Sequence, residues 1–434
     1  MATPPILKSI LGVLNDTWWI FLPILLFFAL RDAWLTYVTD RYIKKIEWVL
    51  LEIKVPKDIL KTPKAMEQVF AAMYANYSHG IDFWMKYLDG WVDLWYSFEM
   101  VGYAGGIHFY VWTAKKLRNS VEAAVYSQYP DVEIHEVEDY TKDLPDTLPN
   151  ESWDLYGTDL ILKRESYYPI RTYPYFEESQ EEIRLDALSA LAEVMANLKG
   201  EERLWWQVIV CPSDHKVGNN WQKEGEEKMN QIAGRKVETK KTLGATLADW
   251  FRNLIWAPIE HPVWPEGKTE TMPLLKFLNP AEQEVVKAID AKISKLGFEA
   301  RVRFVYMDKK ETFSTANFTA VMGALRQFNT QNLNNIGPGE EKTILGGWKL
   351  RLVPFYEKLE LFSRKKKVFS NYKVRRLDGK MLGKYRPSGR KIHTFNVEEL
   401  ATIYHFPTMM VGAPTLRLIE SKKGEPPVGL PIET

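Results

Sequence analysis

The chain has a single cysteine, Cys211, in 434 residues. An internal disulfide is thereby excluded, as expected of a body kept in a reducing compartment. Metal-binding patterns are missing too. The seven histidines (His79, His108, His135, His215, His261, His393 and His405) include no pair three or four residues apart, and one thiol makes no thiolate cluster. Nucleotide signatures are equally scarce: no G-x-G-x-x-G follows a strand pattern, and no G-x-S-x-G occurs. The nearest approach to a phosphate loop begins at Gly337 and ends at Thr343. It lacks a glycine immediately before Lys342 and would turn Glu340 and Glu341 toward the phosphates, so it reads as a turn.

One short stretch does carry nucleophile and base types: Cys211, Ser213, Asp214 and His215. Neighbours in sequence are a poor guide to groups that must converge in space, and a core thiol is the preferred reading of Cys211. An enzyme whose site assembles from scattered residues near Cys211 and His215 stands as the rival class. No catalytic residue, metal ligand or cofactor is assigned, and the chain is expected not to be an enzyme.

Long apolar runs are also few. Residues 18–30 form one, free of charge, and apolar character resumes from Ala33 to Val38. A spanning helix needs about 20 mostly apolar residues. Residues 10–14 supply the missing length at the cost of Asn15 and Asp16. Trp18 and Trp19 at one border, with Trp34 and Tyr37 at the other, suit the aromatic belts of a bilayer. Pro23 is tolerable in a membrane helix. Signal-peptide features are weak, with Lys8 the one basic side chain ahead of the run and no A-x-A site behind it. The expected anchor residues are Trp18, Trp19, Phe21, Leu25, Phe28, Leu30 and Trp34, and the competing reading is a buried hydrophobic helix. Arg31, Arg41, Lys44, Lys45, Lys54, Lys57, Lys61 and Lys64 follow the run, so the positive-inside rule puts the amino terminus outside and the body in the cytoplasm.

With 46% hydrophobic and 26% charged residues, the chain can build two or three cores. The expected layout is α+β. A transmembrane anchor occupies 1–40 and juxtamembrane amphipathic helices occupy 41–95. A ferredoxin-like domain covers 96–212, a second α+β domain 213–363, a basic hairpin 364–394, and a short helix with a Pro-rich tail 395–434. In 41–53, Ile43, Ile46, Leu50 and Ile53 share a helical face, either on the cytoplasmic leaflet or packed on the body. Residues 107–211 spell β-α-β-β-α-β, the split order of a ferredoxin-like unit with helices on one face of an antiparallel sheet. A second such unit opens at 280, with partner strands expected in 348–362 and 372–384 and a tight turn at Asp378 and Gly379.

Net charge is only +1, yet residues 364–391 hold twelve basic residues against one acid, Asp378. Arg364, Lys365, Lys366, Lys367, Arg375, Arg376, Lys384, Arg386, Arg390 and Lys391 interleave with Phe369, Tyr372 and Tyr385. Such a pattern suits phosphate neutralisation with base stacking, so DNA is one candidate partner. An acidic protein, anionic lipid or plain solvation are the alternatives.

Several stretches resemble the membrane-anchored N-terminal region associated with the P-loop ATPases of conjugation and type IV secretion. They are Phe98-Glu-Met-Val-Gly102 with Gly106-Ile-His-Phe-Tyr110, then Arg118-Asn-Ser-Val-Glu-Ala-Ala-Val-Tyr-Ser-Gln-Tyr-Pro-Asp131 with Glu136-Val-Glu-Asp-Tyr140. Leu188-Ser-Ala-Leu-Ala-Glu193, Asn396-Val-Glu-Glu-Leu-Ala-Thr-Ile-Tyr-His-Phe-Pro407 and Pro426-Pro-Val-Gly-Leu-Pro431 complete the set. The resemblance implies a bacterial inner-membrane, single-pass scaffold in an oligomeric translocation complex. It would seat a separately encoded ATPase, with Glu398, Glu399, Leu400, His405 and Pro407 as the motor-proximal contact.

Overall fold

The computed structural model describes residues 5–56, 61–76, 82–103, 106–177, 186–213, 221–234, 278–339, 343, 354–377 and 392–407. Side chains of 5–18, 20, 21 and 354–357 lie outside that description. So do the expected contacts Lys384, Arg386, Arg390 and Lys391, the Asp378 turn, His215 and the Pro-rich tail, together with the Trp18 and Phe21 side chains.

Helix α1 runs unbroken from Pro5–Ile43, with Pro23 inside it. At about 1.5 Å per residue its 39 residues reach about 58 Å, enough to cross a bilayer core and enter the body. Within it, Leu22–Ile43 is long and apolar enough to span a membrane.

The chain then turns into a strand. β1 (Trp48–Lys54) buries Val49, Leu51 and Ile53 on one face, and pairs with β3 (Gly106–Ala114) and β4 (Glu133–Val137). The expected amphipathic helix over 41–53 is thus wrong from Trp48 onward. Those residues fit a period of two as well as a helical stripe, and two flanking ladders decide for the strand.

Among the described residues, β2 (Tyr96–Tyr103), β5 (Trp153–Leu162), β6 (Arg203–Pro212), β7 (Gly297–Lys309), β8 (Ile336–Pro338) and β9 (His393–Asn396) complete one nine-stranded sheet. Its order is β4-β1-β3-β2-β6-β7-β5-β8, with β9 beside the start of β7, and the paired strands are antiparallel. The α+β class therefore holds, while the ferredoxin-like unit does not. β3, β4, β5 and β6 supply its four expected strands, and among the described residues none of them pairs with another. The expected border near 212 disappears as well, because β7 lies between β6 and β5 in the same sheet.

One face of the sheet carries Phe98, Met100, Phe109, Val111, Trp206, Val208, Val302 and Phe304. Helices α2 (Pro63–Met73), α3 (Arg118–Gln128), α5 (Ser189–Ala196), α8 (Thr315–Ala324) and α10 (Val397–Ile403) bury their apolar residues in that same core. A short α4 (Pro174–Glu177) lies between β5 and α5 in sequence, and α6 (Trp221–Ile232) packs on α7 (Pro280–Ile293) as a satellite.

The opposite face carries Leu50, Tyr110, Trp205, Val305 and Met307. It is covered by α9 (Pro354–Val374), where strands and a hairpin were expected. Lys365, Val368, Phe369 and Tyr372 are buried at helical spacing, so 3.6-residue periodicity governs this stretch.

Candidate functional site

Where α1 enters the body, its surroundings change within a few residues. Leu22, Ile24, Leu25, Leu26, Phe27, Phe28 and Leu30 are exposed, whereas Leu35, Val38 and Thr39 are buried. Three contacts fix the entry. The indole Nε1 of Trp34 donates to the Tyr87 carbonyl at 2.7 Å. Gly90, at φ +67, lies so close to α1 that a Cβ there would come 2.3 Å from the Val38 carbonyl carbon and oxygen. Asp40 accepts from Arg376 at 2.6 Å. Below this, Tyr42 and Ile43 pack against a cluster of Val92, Trp95, Ile209, Cys211 and Leu377, and Trp48 stacks on Trp112 at 3.9 Å.

Arg376 adjoins the most polar part of the interior. Glu52 and Tyr110, Tyr110 and Glu99, Glu99 and Gln207, Gln207 and Arg303, and Arg303 and Asp159 stand opposite one another on successive strands. Directly opposed residues share a face, so this row crosses the sheet beneath α9 and the turn after it. Arg375 closes the row from above. Its guanidinium reaches Glu99 at 2.8 and 3.1 Å and Asp139 at 2.5 and 3.0 Å. Ser97 and Gln207 also donate to Glu99 at 2.6 and 2.8 Å, and the Tyr140 hydroxyl donates at 2.7 Å. A buried carboxylate is stable only when its lone pairs are occupied, and here five donors occupy them.

Burial raises the Tyr140 and Tyr372 phenols well above their ordinary value, with the Glu99 charge adding to it, so both stay protonated. Burial would also raise Asp139, but the hydrogen bond and charge of Arg375 outweigh it and hold the carboxyl below its usual range. Arg375 has φ 51, a left-handed conformation normally left to glycine after a helix end. Its carbonyl accepts from the Trp95 indole at 2.6 Å, and its side-chain ion pairs hold it there. A residue tied on every side can keep such a backbone.

The expected nucleic-acid surface is therefore partly interior. Arg375 and Lys365 are buried, Lys365 against Asp154 at 2.6 Å, and neither can meet a phosphate. Arg376 is committed to Asp40, and Arg364 pairs with Glu360 one turn away. Lys366 and Lys367 remain exposed on α9.

The expected motor contact is interior too. Asn396 caps α10 in a capping box with Glu399, and Glu399 pairs with Lys292 at 2.9 Å with both side chains fully buried. Glu398 bonds Lys295 and Thr172 at 2.5 Å each. Leu400 is core, Pro407 is half-buried, and His405 sits between Asp186 at 2.9 Å and the Ala401 carbonyl at 2.7 Å. These contacts hold the C-terminal segment onto α7 and the loops around Thr172 and Asp186.

Cys211 is buried, and its thiol donates to the Leu94 carbonyl at 3.5 Å, as a core thiol would. Among the described residues, no group of three His, Cys, Asp or Glu side chains is arranged to hold a metal ion.

Residues 47–336 match a family described as a domain of unknown function, DUF8128. The chain belongs to the DUF8128 family. The matched span opens at the turn into β1 and closes at the first residue of β8, so it covers most of the sheet and begins after α1. None of the curated proteins matches the chain.

Two parts of this site escaped sequence reading. Glu99, in an otherwise apolar strand, was the available signal for a buried charge needing a partner. Gly90 and Asp40 gave no local signal, because their meaning comes from contacts distant in sequence.

Proposed function

We propose that this DUF8128 protein is a membrane-anchored, non-enzymatic scaffold that holds its folded body in a fixed pose against the cytoplasmic face of a bilayer. The observation that carries this reading is the joint. One continuous helix is apolar and exposed along 22–30, is buried in the body at Leu35 and Val38, and is clamped through Trp34, Gly90 and Asp40. A flexible tether would need none of those contacts. A body fixed in orientation is suited to seating a partner at a defined height above the membrane.

The resemblance to the conjugation and type IV secretion region supports a separately encoded P-loop ATPase as that partner. Because Glu399, Leu400 and His405 are interior, the seat lies on other surfaces. The exposed Lys366 and Lys367 on α9 suit an acidic surface of such a motor. Affinity capture of the full chain from detergent-solubilised membranes tests the proposal. A P-loop ATPase is expected in the eluate and is expected to be lost on charge reversal at Lys366 and Lys367. Recovery of no ATPase would sink the seating role, and recovery of the protein in the soluble fraction would sink the anchor.

A further inference from the structure

The segment that clamps α1 carries an apolar surface of its own. Residues 83–84 and the π-helical turn Met85–Asp89 expose Phe83 at 59%, Trp84 at 63% and Leu88 at 61%. Phe83 packs edge-on to Trp84 at 5.6 Å and lies over Tyr87 at 4.5 Å, which leaves a cluster of rings with an open outer side.

Its position relative to α1 follows from two contacts. Tyr87 meets Trp34, and Gly90 meets Val38 and Thr39. Residue numbers rise together along both pieces, so the segment runs beside α1 in the same direction. Phe83 and Trp84 are consequently carried about one turn closer to the exposed apolar part of α1 than Tyr87 is. Trp19 lies about 22 Å before Trp34 along the helix, at about 1.5 Å per residue. With a hydrocarbon core of about 30 Å, Trp34 and Tyr37 fall near the interface where aromatic belts sit. Arg31 and Asp32 mark the same border and form an ion pair at 2.8 Å.

We propose that residues 83–88 form a foot that lies in the interfacial layer of the bilayer beside α1, a proposal that rests on the membrane reading of that helix. Trp34, Tyr37, Phe83, Trp84 and Tyr87 bring five amphipathic or apolar rings within about two helical turns of one another along α1, about the depth of an interfacial layer where an apolar body and a polar rim are both satisfied. The foot lies beside α1 with its exposed rings on the side of the exposed apolar residues 22–30, which selects lipid over a separate protein groove. Lys86 lies within the foot between the exposed Asp82 and Asp89, and the basic charge stands at the body end of α1, in the exposed Lys44 and Lys45. A single helix can swivel and tilt in a bilayer, whereas a helix plus a foot gives two points of contact and fixes the rotation of the body about α1.

The test uses the full chain with one added cysteine, since Cys211 is buried and escapes labelling. An environment-sensitive fluorophore is placed at Trp84→Cys and, as a reference, at Glu133→Cys on the exposed end of β4. The labelled proteins are reconstituted into vesicles of phosphatidylcholine and phosphatidylglycerol. The label at 84 is expected to emit to the blue of the label at 133, to be quenched by a lipid nitroxide placed near the headgroups, and to be shielded from aqueous iodide. Equal access of iodide to both labels, in protein that still floats with the vesicles, overturns the foot and leaves the anchor standing. Shielding from iodide without nitroxide quenching also overturns it, because protein then covers the segment. Failure to float overturns the membrane reading of α1 and the foot with it. Leu88→Cys is the second position should Trp84→Cys not reconstitute.

Discussion

Replacing Lys292 with methionine isolates the buried pair that pins α10 to α7. The ammonium lies 2.9 Å from Glu399, and neither side chain reaches solvent. Breaking a buried pair by deleting one partner costs about 3–5 kcal/mol, because the remaining charge is left in a low dielectric. Here the carboxylate keeps two backbone donors, from Ile170 at 2.9 Å and Asn396 at 3.0 Å, and methionine fills most of the volume. The lower end, about 3 kcal/mol, is therefore expected, which is about a hundredfold in the unfolding equilibrium. Glu399→Gln keeps a capping-box residue at that position, so the double variant should regain most of the loss.

The pH dependence gives the sharper check. Burial raises the Glu399 carboxyl above its ordinary 4.5, against the pull of Lys292, and removing the ammonium raises it further. Folded Lys292→Met then holds a proton that the unfolded chain has released above 4.5, so its stability falls as pH rises through that window. Its deficit relative to the parent should be small near pH 5 and larger near pH 8. Denaturant unfolding followed by tryptophan fluorescence, at several pH values in one detergent, measures both quantities. A deficit equal at the two ends, or a double variant no better than the single one, would refute the picture of a stranded buried carboxylate.

The other expectations concern the polar row and the joint. Arg375→Met leaves Glu99 and Asp139 without their countercharge and should cost about 3–5 kcal/mol, with Arg375→Lys restoring little because an ammonium cannot fork to both carboxylates. Asp139→Asn bears on acid stability. Its carboxyl is held below the ordinary 3.8, so the stability it contributes is present above that value and is lost as pH falls through the folded one. The variant should be weaker than the parent at neutral pH and should converge with it in strong acid, as read from unfolding midpoints across pH. Gly90→Ala places a Cβ 2.3 Å from the Val38 carbonyl at a positive φ, so residues 83–90 must shift away from α1. Hydrogen exchange at the amides of 85–91 should quicken while that of β6 and β7 stays unchanged.

How much of this was legible in the sequence depends on the range over which each feature is decided. β7 shows its two-residue alternation directly, β6 reads as a short apolar run, and Asn396 announces the start of α10 as its cap. Those features are settled within a few residues. The helical reading of β1 rests on Leu50 and Ile53, which share a helical stripe, whereas Val49, Leu51 and Ile53 alternate as a strand, and the tie is broken by β3 and β4, far along the chain. The ferredoxin-like reading failed for the same reason. Its six elements exist in the expected order, but local pattern says nothing about which strands become neighbours, and β1, β2 and β7 take the partners instead.

The basic run shows a different limit, and it bears on function. Charge counted along a sequence treats a solvated lysine and a buried arginine alike. Lys366 and Lys367 face solvent, while Lys365 just before them faces the core with Val368 and binds Asp154. The spacing of Lys365, Val368, Phe369 and Tyr372 would have separated the two kinds, since a helix that buries this stripe must bury a charge with it. Arg375 and Arg376 extend the argument. One neutralises Glu99 under the sheet's cover, and the other holds Asp40 at the foot of α1. Two adjacent arginines thereby tie the polar row of the sheet to α1, so a disturbance at Glu99 should loosen the hold on Asp40 more readily than one at the Lys292 pair, which lies on the opposite face.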